Sequence, residues 1–238
     1  MADASTNDIA IVLVALLSVL VTSVRSAANY DTSAARSYNS GWLPAKATWY
    51  GAPTGAGPND NEGACGFKNV NQYPFSSMTS CGNEPLFDGG AGCGSCYEVY
   101  PMRRRQQPIL LRPAEEGGHH RHELSGTAFG AMAKNGLNDK LRHAGIIDMQ
   151  FRRVRCNFPG MKVTFHVQRG SNPNYLAVLV EYANVDGTVV RMELMQTRTM
   201  GPFSMRITSD SGKTLVANNV IPAYWRPDKA YGSNVQFY

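Results

Sequence analysis

Apolar and polar positions divide the chain into stretches of different character. Ile9 to Val21 is apolar except for Ser18, and the small residues Ser26, Ala27 and Ala28 follow it. Thirteen helical residues reach about 20 Å, short of the roughly 30 Å hydrocarbon core of a bilayer. The run therefore reads as a secretory signal peptide over residues 1–28, although the preceding MADASTND carries Asp3 and Asp8 and no basic side chain. Asn29 to Gly41 is small and polar without a helical or strand period, so 29–45 is expected to form an N-terminal arm. Lys46–Tyr50 (KATWY) predicts the first strand, and the glycine- and proline-rich Gly51–Gly66 predicts turns. Tyr97–Tyr100 predicts a strand and Ser125–Lys134 a short helix. Ile146–Arg155 alternates as a strand, with Met149, Phe151 and Val154 among its apolar positions.

Beyond Cys156 a regular series of β runs begins: Lys162–Val167, Tyr175–Tyr182, Val189–Met195, Phe203–Thr208 and Thr214–Val216. Turn signals separate them at Gly170–Asn174, Asp186–Gly187, Gly201–Pro202 and Asp210–Gly212. Short strands at this spacing predict a β-sandwich. NFPG at Asn157–Gly160 interrupts both patterns, which places a barrel-like domain at 46–158 and a sandwich at 159–238.

Composition narrows the class. Of 238 residues, 43% are hydrophobic and 17% charged, which excludes a wholly disordered chain. The formal charge is +5, and much of the excess lies in Arg103, Arg104, Arg105, Arg112 and Arg121 against Glu115 and Glu116. Anionic partners are permitted. Arg103–Arg105 reads as a solvated loop because no interleaved aromatics follow it, so no nucleic-acid partner is expected. The five cysteines are Cys65, Cys81, Cys93, Cys96 and Cys156, an odd count that leaves at least one unpaired in a monomer. Cys93 and Cys96 form a CxxC, but no second CxxC completes a zinc site. With a secretory leader, structural disulfides are the expected fate.

Candidate chemistry is sparse. Trp49 and Tyr50 could stack on sugar rings or fill the core of a small barrel. Asp60 and Glu123 could act as acid and base across a glycosidic bond, or be solvated surface acids. His119, His120 and His122 (HHRH) read as a flexible loop, and no metal or cofactor is expected.

Longer text is more specific than these motifs. ATWYGAPTGAGPNDNEGACGF, SMTSCGNEPLF, GCGSCYEV, LSGTAFGAMAKNGLNDKLRHAGIIDMQFRRVRCNFPG, SNPNYLAVLVEY and the tail from GPFSMRITSDSGK onward cover most of Lys46–Tyr238 and resemble the plant β-expansins, the group that includes the group-1 grass pollen allergens. The resemblance implies an all-β fold: a double-psi β-barrel similar to family-45 glycoside hydrolases, then an immunoglobulin-like sandwich that binds polysaccharide. It implies disulfides Cys65–Cys93 and Cys96–Cys156 with Cys81 free. It also implies a secreted, monomeric wall protein that loosens cellulose–matrix glycan contacts without hydrolysis. Thr48, Trp49, Tyr50 and Asp60 match the family's groove, and Tyr175 matches an aromatic of its second binding face. A glycoside hydrolase using Asp60 and Glu123, or a binding-only variant, are the alternatives.

Three departures accompany the match. Glu123 stands where the family has a groove aspartate, and Tyr100–His119 has no family counterpart, so two cysteines, a second aspartate and a core strand are replaced; an altered reading frame would explain it. After Met195 the family continues with a tryptophan-rich stretch, whereas here only Gln196–Met200 precede GPFS, as an omitted exon or deletion would leave. The loss of a sandwich strand is expected.

Overall fold

The computed structural model describes residues 41–58, 63–102, 120–195 and 201–238. The expected leader, most of the arm, Asp60, the segment 103–119 with His119, and 196–200 lie outside the described residues.

Eleven strands are described: β1 (Leu43–Tyr50), β2 (Ser80–Gly82), β3 (Cys96–Pro101), β4 (His120–Ser125), β5 (Ile147–Val154), β6 (Thr164–Val167), β7 (Val178–Glu181), β8 (Val189–Leu194), β9 (Phe203–Ser209), β10 (Thr214–Ile221) and β11 (Lys229–Gly232). Short helices α1 (Glu84–Phe87), α2 (Gly126–Ala131) and α3 (Asn138–His143) interrupt the first group. β1 starts three residues before the expected Lys46, because Leu43, Pro44 and Ala45 pair with Phe151, Gln150 and Met149 of β5.

The first sheet runs β2-β4-β1-β5-β3. β4 and β1 are parallel, while the other neighbours are antiparallel. Because side chains alternate across a strand, Ala45 and Ala47 turn to one face. There they join Leu124, Met149, Phe151 and Phe129 of α2 in a buried core. The hydroxyl of Ser125 caps α2 by accepting from the Ala128 amide at 3.0 Å.

Two expectations are corrected in this sheet. The HHRH segment is not a loop from His120 onward: it begins β4, with His122 buried against Phe151 (ring centroids 4.7 Å) and His120 at 5.1 Å from the same ring. Along β5 the inward positions are Met149, Phe151 and Arg153, while Val154 is half-buried. A guanidinium occupies the third inward position because partners are waiting for it. Arg153 Nη1 donates to Asp210 Oδ2 at 2.8 Å, and Nη2 donates to the Asp186 carbonyl at 2.9 Å and Thr188 Oγ1 at 3.1 Å.

The remaining strands form two three-stranded sheets, β10-β9-β8 and β11-β6-β7. They enclose a second core of Val163, Phe165, Val167, Phe203, Met205, Ile207 and Ile221. β10 continues past the expected Val216 to Ile221 across a register break, and β2, β11, α1 and α3 were not expected from the sequence.

The partners of Arg153 belong to the loops of this second body. Beside them Ser95 and Thr188 hydroxyls meet at 2.8 Å, Tyr73 Oη donates to the Pro159 carbonyl at 2.6 Å, and Cys156 exchanges backbone bonds with Val185. Phe75, Phe158 and Tyr182 form a ring cluster at 5.8 to 6.0 Å. Gly94 and Gly187 approach back to back, both with positive φ, so a Cβ on Gly187 would collide with the Gly94 carbonyl and Cys156 Sγ. Disulfides Cys65–Cys93 and Cys96–Cys156 close loops of 28 and 60 residues, and Cys81 is free. In the chain-entropy account each disulfide contributes about 4 kcal/mol.

Candidate functional site

The parallel pairing of β1 with β4 sets Thr48 opposite Glu123, and the antiparallel pairing of β2 with β4 sets Cys81 opposite Glu123. Directly paired residues project to the same sheet face. Cys81, Glu123 and Thr48 therefore form a row across three strands on the face away from the barrel core. Tyr50, two positions on from Thr48, shares that face. Its Oη lies 3.3 Å from Thr79 Oγ1, which fixes the ring beside the row. Burial, followed by the nearby Cys81 and Glu123, pushes the Tyr50 phenol above its ordinary value. Burial and Glu123 push the Cys81 thiol up as well. The face thus presents a neutral phenol, a neutral thiol and an exposed carboxylate, with Thr48 and Thr79 adding hydroxyls.

Trp49 alternates to the opposite face. It packs against the barrel core, and its indole N–H donates to the Arg142 carbonyl of α3 at 3.1 Å. The structure therefore brings Thr48, Tyr50 and Glu123 together and sets Trp49 behind them. Tyr175 stands on the second body, 60% exposed, at the end of a turn in which Asn172 and Tyr175 exchange backbone bonds at 2.8 and 3.0 Å.

Support for the face comes from residues that the sequence did not single out. Asn71 Oδ1 accepts from the Ala56 amide at 2.7 Å and from Ser77 Oγ at 2.9 Å, while its Nδ2 donates to the Gly57 carbonyl at 2.8 Å. Thr127 Oγ1 accepts from Gly55 N–H at 2.7 Å. Together they hold the loop that leaves Tyr50. An asparagine that follows a glycine-rich run could have been flagged as its clamp; Thr127 gave no such signal, because only the tertiary fold brings it near Gly55.

Asp148 also lies on this face. It pairs with Lys46, both in backbone register and as an ion pair. Its offset from Glu123 is two strand spacings and two residues, on the order of 12 Å between backbones. An apolar cleft of about 590 Å³, lined by Val99, Tyr100, Met132, Leu137 and Leu141 among others, shares no residue with the row.

The expansin C-terminal domain family matches residues 163–201. Expansin-B6 of Oryza sativa subsp. japonica is 55% identical over 266 aligned positions, which span 94% of this chain and 96% of the relative. The chain belongs to the expansin-B family. Expansin-B2 of the same organism is 51% identical over all of both chains, and expansin-B1 of Zea mays is 50% identical over 84% of this expansin-B and 86% of the relative. The alignments with the two rice proteins, at 266 and 271 positions, are longer than this expansin-B itself, so those relatives carry residues that it lacks. A solved Clavibacter michiganensis expansin, a point mutant in complex with cellohexaose, superposes with a TM-score of 0.62 at 20% identity over 83% of this chain and 98% of its own; the apo form gives 0.61 at 22%. The likeness shows the fold: a double-psi barrel followed by a second, sandwich domain.

Proposed function

We propose that this expansin-B is a secreted cell-wall protein that loosens contacts between cellulose and matrix glycans by binding them, without cleaving a glycosidic bond. The observation that carries this reading is the row Cys81–Glu123–Thr48 with Tyr50 beside it, in a chain of this family. One carboxylate, two neutral polar groups and an aromatic edge suit hydrogen bonding to sugar hydroxyls and contact with their C–H faces. Tyr175 supplies a second aromatic contact, in a domain spanning 159–238 that would dock to the polymer while the barrel domain, 46–158, works on it. In this reading Trp49 supports the face from behind, and Asp60, which matches the family's groove, contributes to glycan binding.

The test is creep of heat-inactivated grass cell walls under constant load, with reducing sugar measured in the same bath. Extension without sugar release is expected. Glu123→Gln, which keeps shape and removes charge, should reduce creep partially, and Tyr175→Ala should weaken retention on insoluble wall polysaccharide. Sugar release that tracks creep and vanishes in Glu123→Gln would overturn the proposal in favour of hydrolysis.

A further inference from the structure

β8 ends the sheet β10-β9-β8, so among the described residues it carries a free edge. Its register against β9 puts Met192 opposite Ile207 and Leu194 opposite Met205. Paired residues share a face, and Ile207 and Met205 are core residues at 0% and 2% exposure. Met192 and Leu194 are nonetheless 39% and 47% exposed. The inward face of the sandwich is therefore uncovered along this strand, and Val190 and Met195 extend the exposed apolar surface.

Among the described residues the backbone along the same edge is also unpartnered. Met195 N–H bonds the Ser204 carbonyl at 3.0 Å, toward β9. By the alternation of an antiparallel ladder, the amide and carbonyl groups of Leu194 and Met192 point the other way, outward. Long apolar edges of this kind pair with other strands unless something blunts them. The only irregularity here is a bulge between Val189 and Arg191, at the start of the strand.

The strand sequence itself indicates the occupant. VVRMEL is self-complementary about Met192. In an antiparallel pairing of two copies centred there, Met192 faces Met192 on the core side, and Arg191 faces Glu193 twice on the outer side. The outward groups of Met192 and Leu194 then enter the new ladder. The alternative register centred on Glu193 sets like charges directly opposite each other, which is destabilising. Arg191 already reaches its own Glu193 at 2.8 Å, so both side chains lie along the outer face where a partner's would meet them.

We propose that β8 is a homodimerisation edge: two copies join antiparallel through β8 about a two-fold axis at Met192, making one six-stranded sheet. This departs from the monomer expected from sequence. It is independent of the glycan-binding face, which lies on other strands. A contact of one strand edge is smaller than the standard interface of about 1,600 Å², so association is expected to depend on concentration.

Sedimentation velocity of the full chain from about 1 to 200 µM reads the association. A monomer–dimer transition is expected, with no larger species, because a two-fold contact closes. Glu193→Arg and Arg191→Glu should each weaken dimerisation about tenfold or more by setting like charges opposite each other twice. An equal mixture of the two variants should restore it as a heterodimer, which a folding defect could not mimic. Independently, hydrogen exchange of the wild-type Met192 and Leu194 amides should slow as concentration rises. A wild-type monomer throughout the range, a dimer indifferent to both substitutions, or amides whose exchange ignores concentration would each overturn the proposal.

Discussion

Acidification should destabilise the barrel through one side chain. His122 is buried among Phe151 and Tyr97, its Nδ1 is 3.4 Å from Ser80 Oγ, and its Nε2 has no hydrogen-bond partner among the described residues. Burial, helped by neighbouring His120, lowers its pKa from the ordinary 6.5 to about 4. Above pH 6.5 the ring is neutral in both the folded and the unfolded chain, so it adds no pH dependence. As pH falls from 6.5 to 4, the unfolded chain takes up a proton that the folded chain refuses, and stability drops by about 1.4 kcal/mol per pH unit. The loss reaches about 3 kcal/mol at pH 4 and levels off below it, a large share of a typical 5–15 kcal/mol. The assay is urea unfolding at pH 7.5, 6.5, 5.5 and 4.5 for the wild type and His122→Phe, which removes the titration while keeping an aromatic ring against Phe151. Other titrating groups cancel in the difference. The wild type should lose about 2 kcal/mol more than the variant between pH 6.5 and 4.5. Parallel curves would mean that the folded protein protonates His122 with ordinary affinity, and the buried-imidazole argument would fail.

Two further outcomes follow from the junction and the free thiol. Gly187→Ala should destabilise the protein by about 2 kcal/mol or more, since φ is positive there and the new Cβ meets the Gly94 carbonyl and Cys156 Sγ; thermal unfolding that matches the wild type would contradict that close approach. Cys81 should consume one equivalent of Ellman's reagent per folded chain at pH 8, more slowly than an unhindered model thiol, because its raised pKa reduces the thiolate fraction. A rate equal to the model thiol's would show that burial and Glu123 do not hold the proton on sulfur.

The strands with period-two apolar positions were readable from sequence because each carries its own burial signal: β5 through Met149 and Phe151, β9 through Phe203, Met205 and Ile207. β4 was not. In HRHELS the inward positions begin with two imidazoles, and a histidine shows its burial only when aromatic neighbours such as Phe151 arrive from another strand. α3, NDKLRH, has one apolar residue in six, so no periodicity marks it, although Leu141 reaches the core. Arg153 carries no burial signal of its own, because its partners, Asp186, Thr188 and Asp210, lie 33 to 57 positions further along the chain. The row of Thr48 and Glu123 depends on the parallel β1–β4 pairing, a register no local pattern encodes, whereas the alternation that turns Trp49 away from Tyr50 was already present in KATWY.

The buried guanidinium of Arg153 has a mechanical consequence. It leaves the last barrel strand and ends among three groups of the sandwich loops, with the Gly94–Gly187 contact and the Phe75–Phe158–Tyr182 rings alongside. A free swivel at Asn157–Gly160 would dissipate a pull applied at one end as rotation. With this seam in place, a pull on the sandwich would pass through Arg153 and its partners to the barrel strand β5 rather than being lost in rotation.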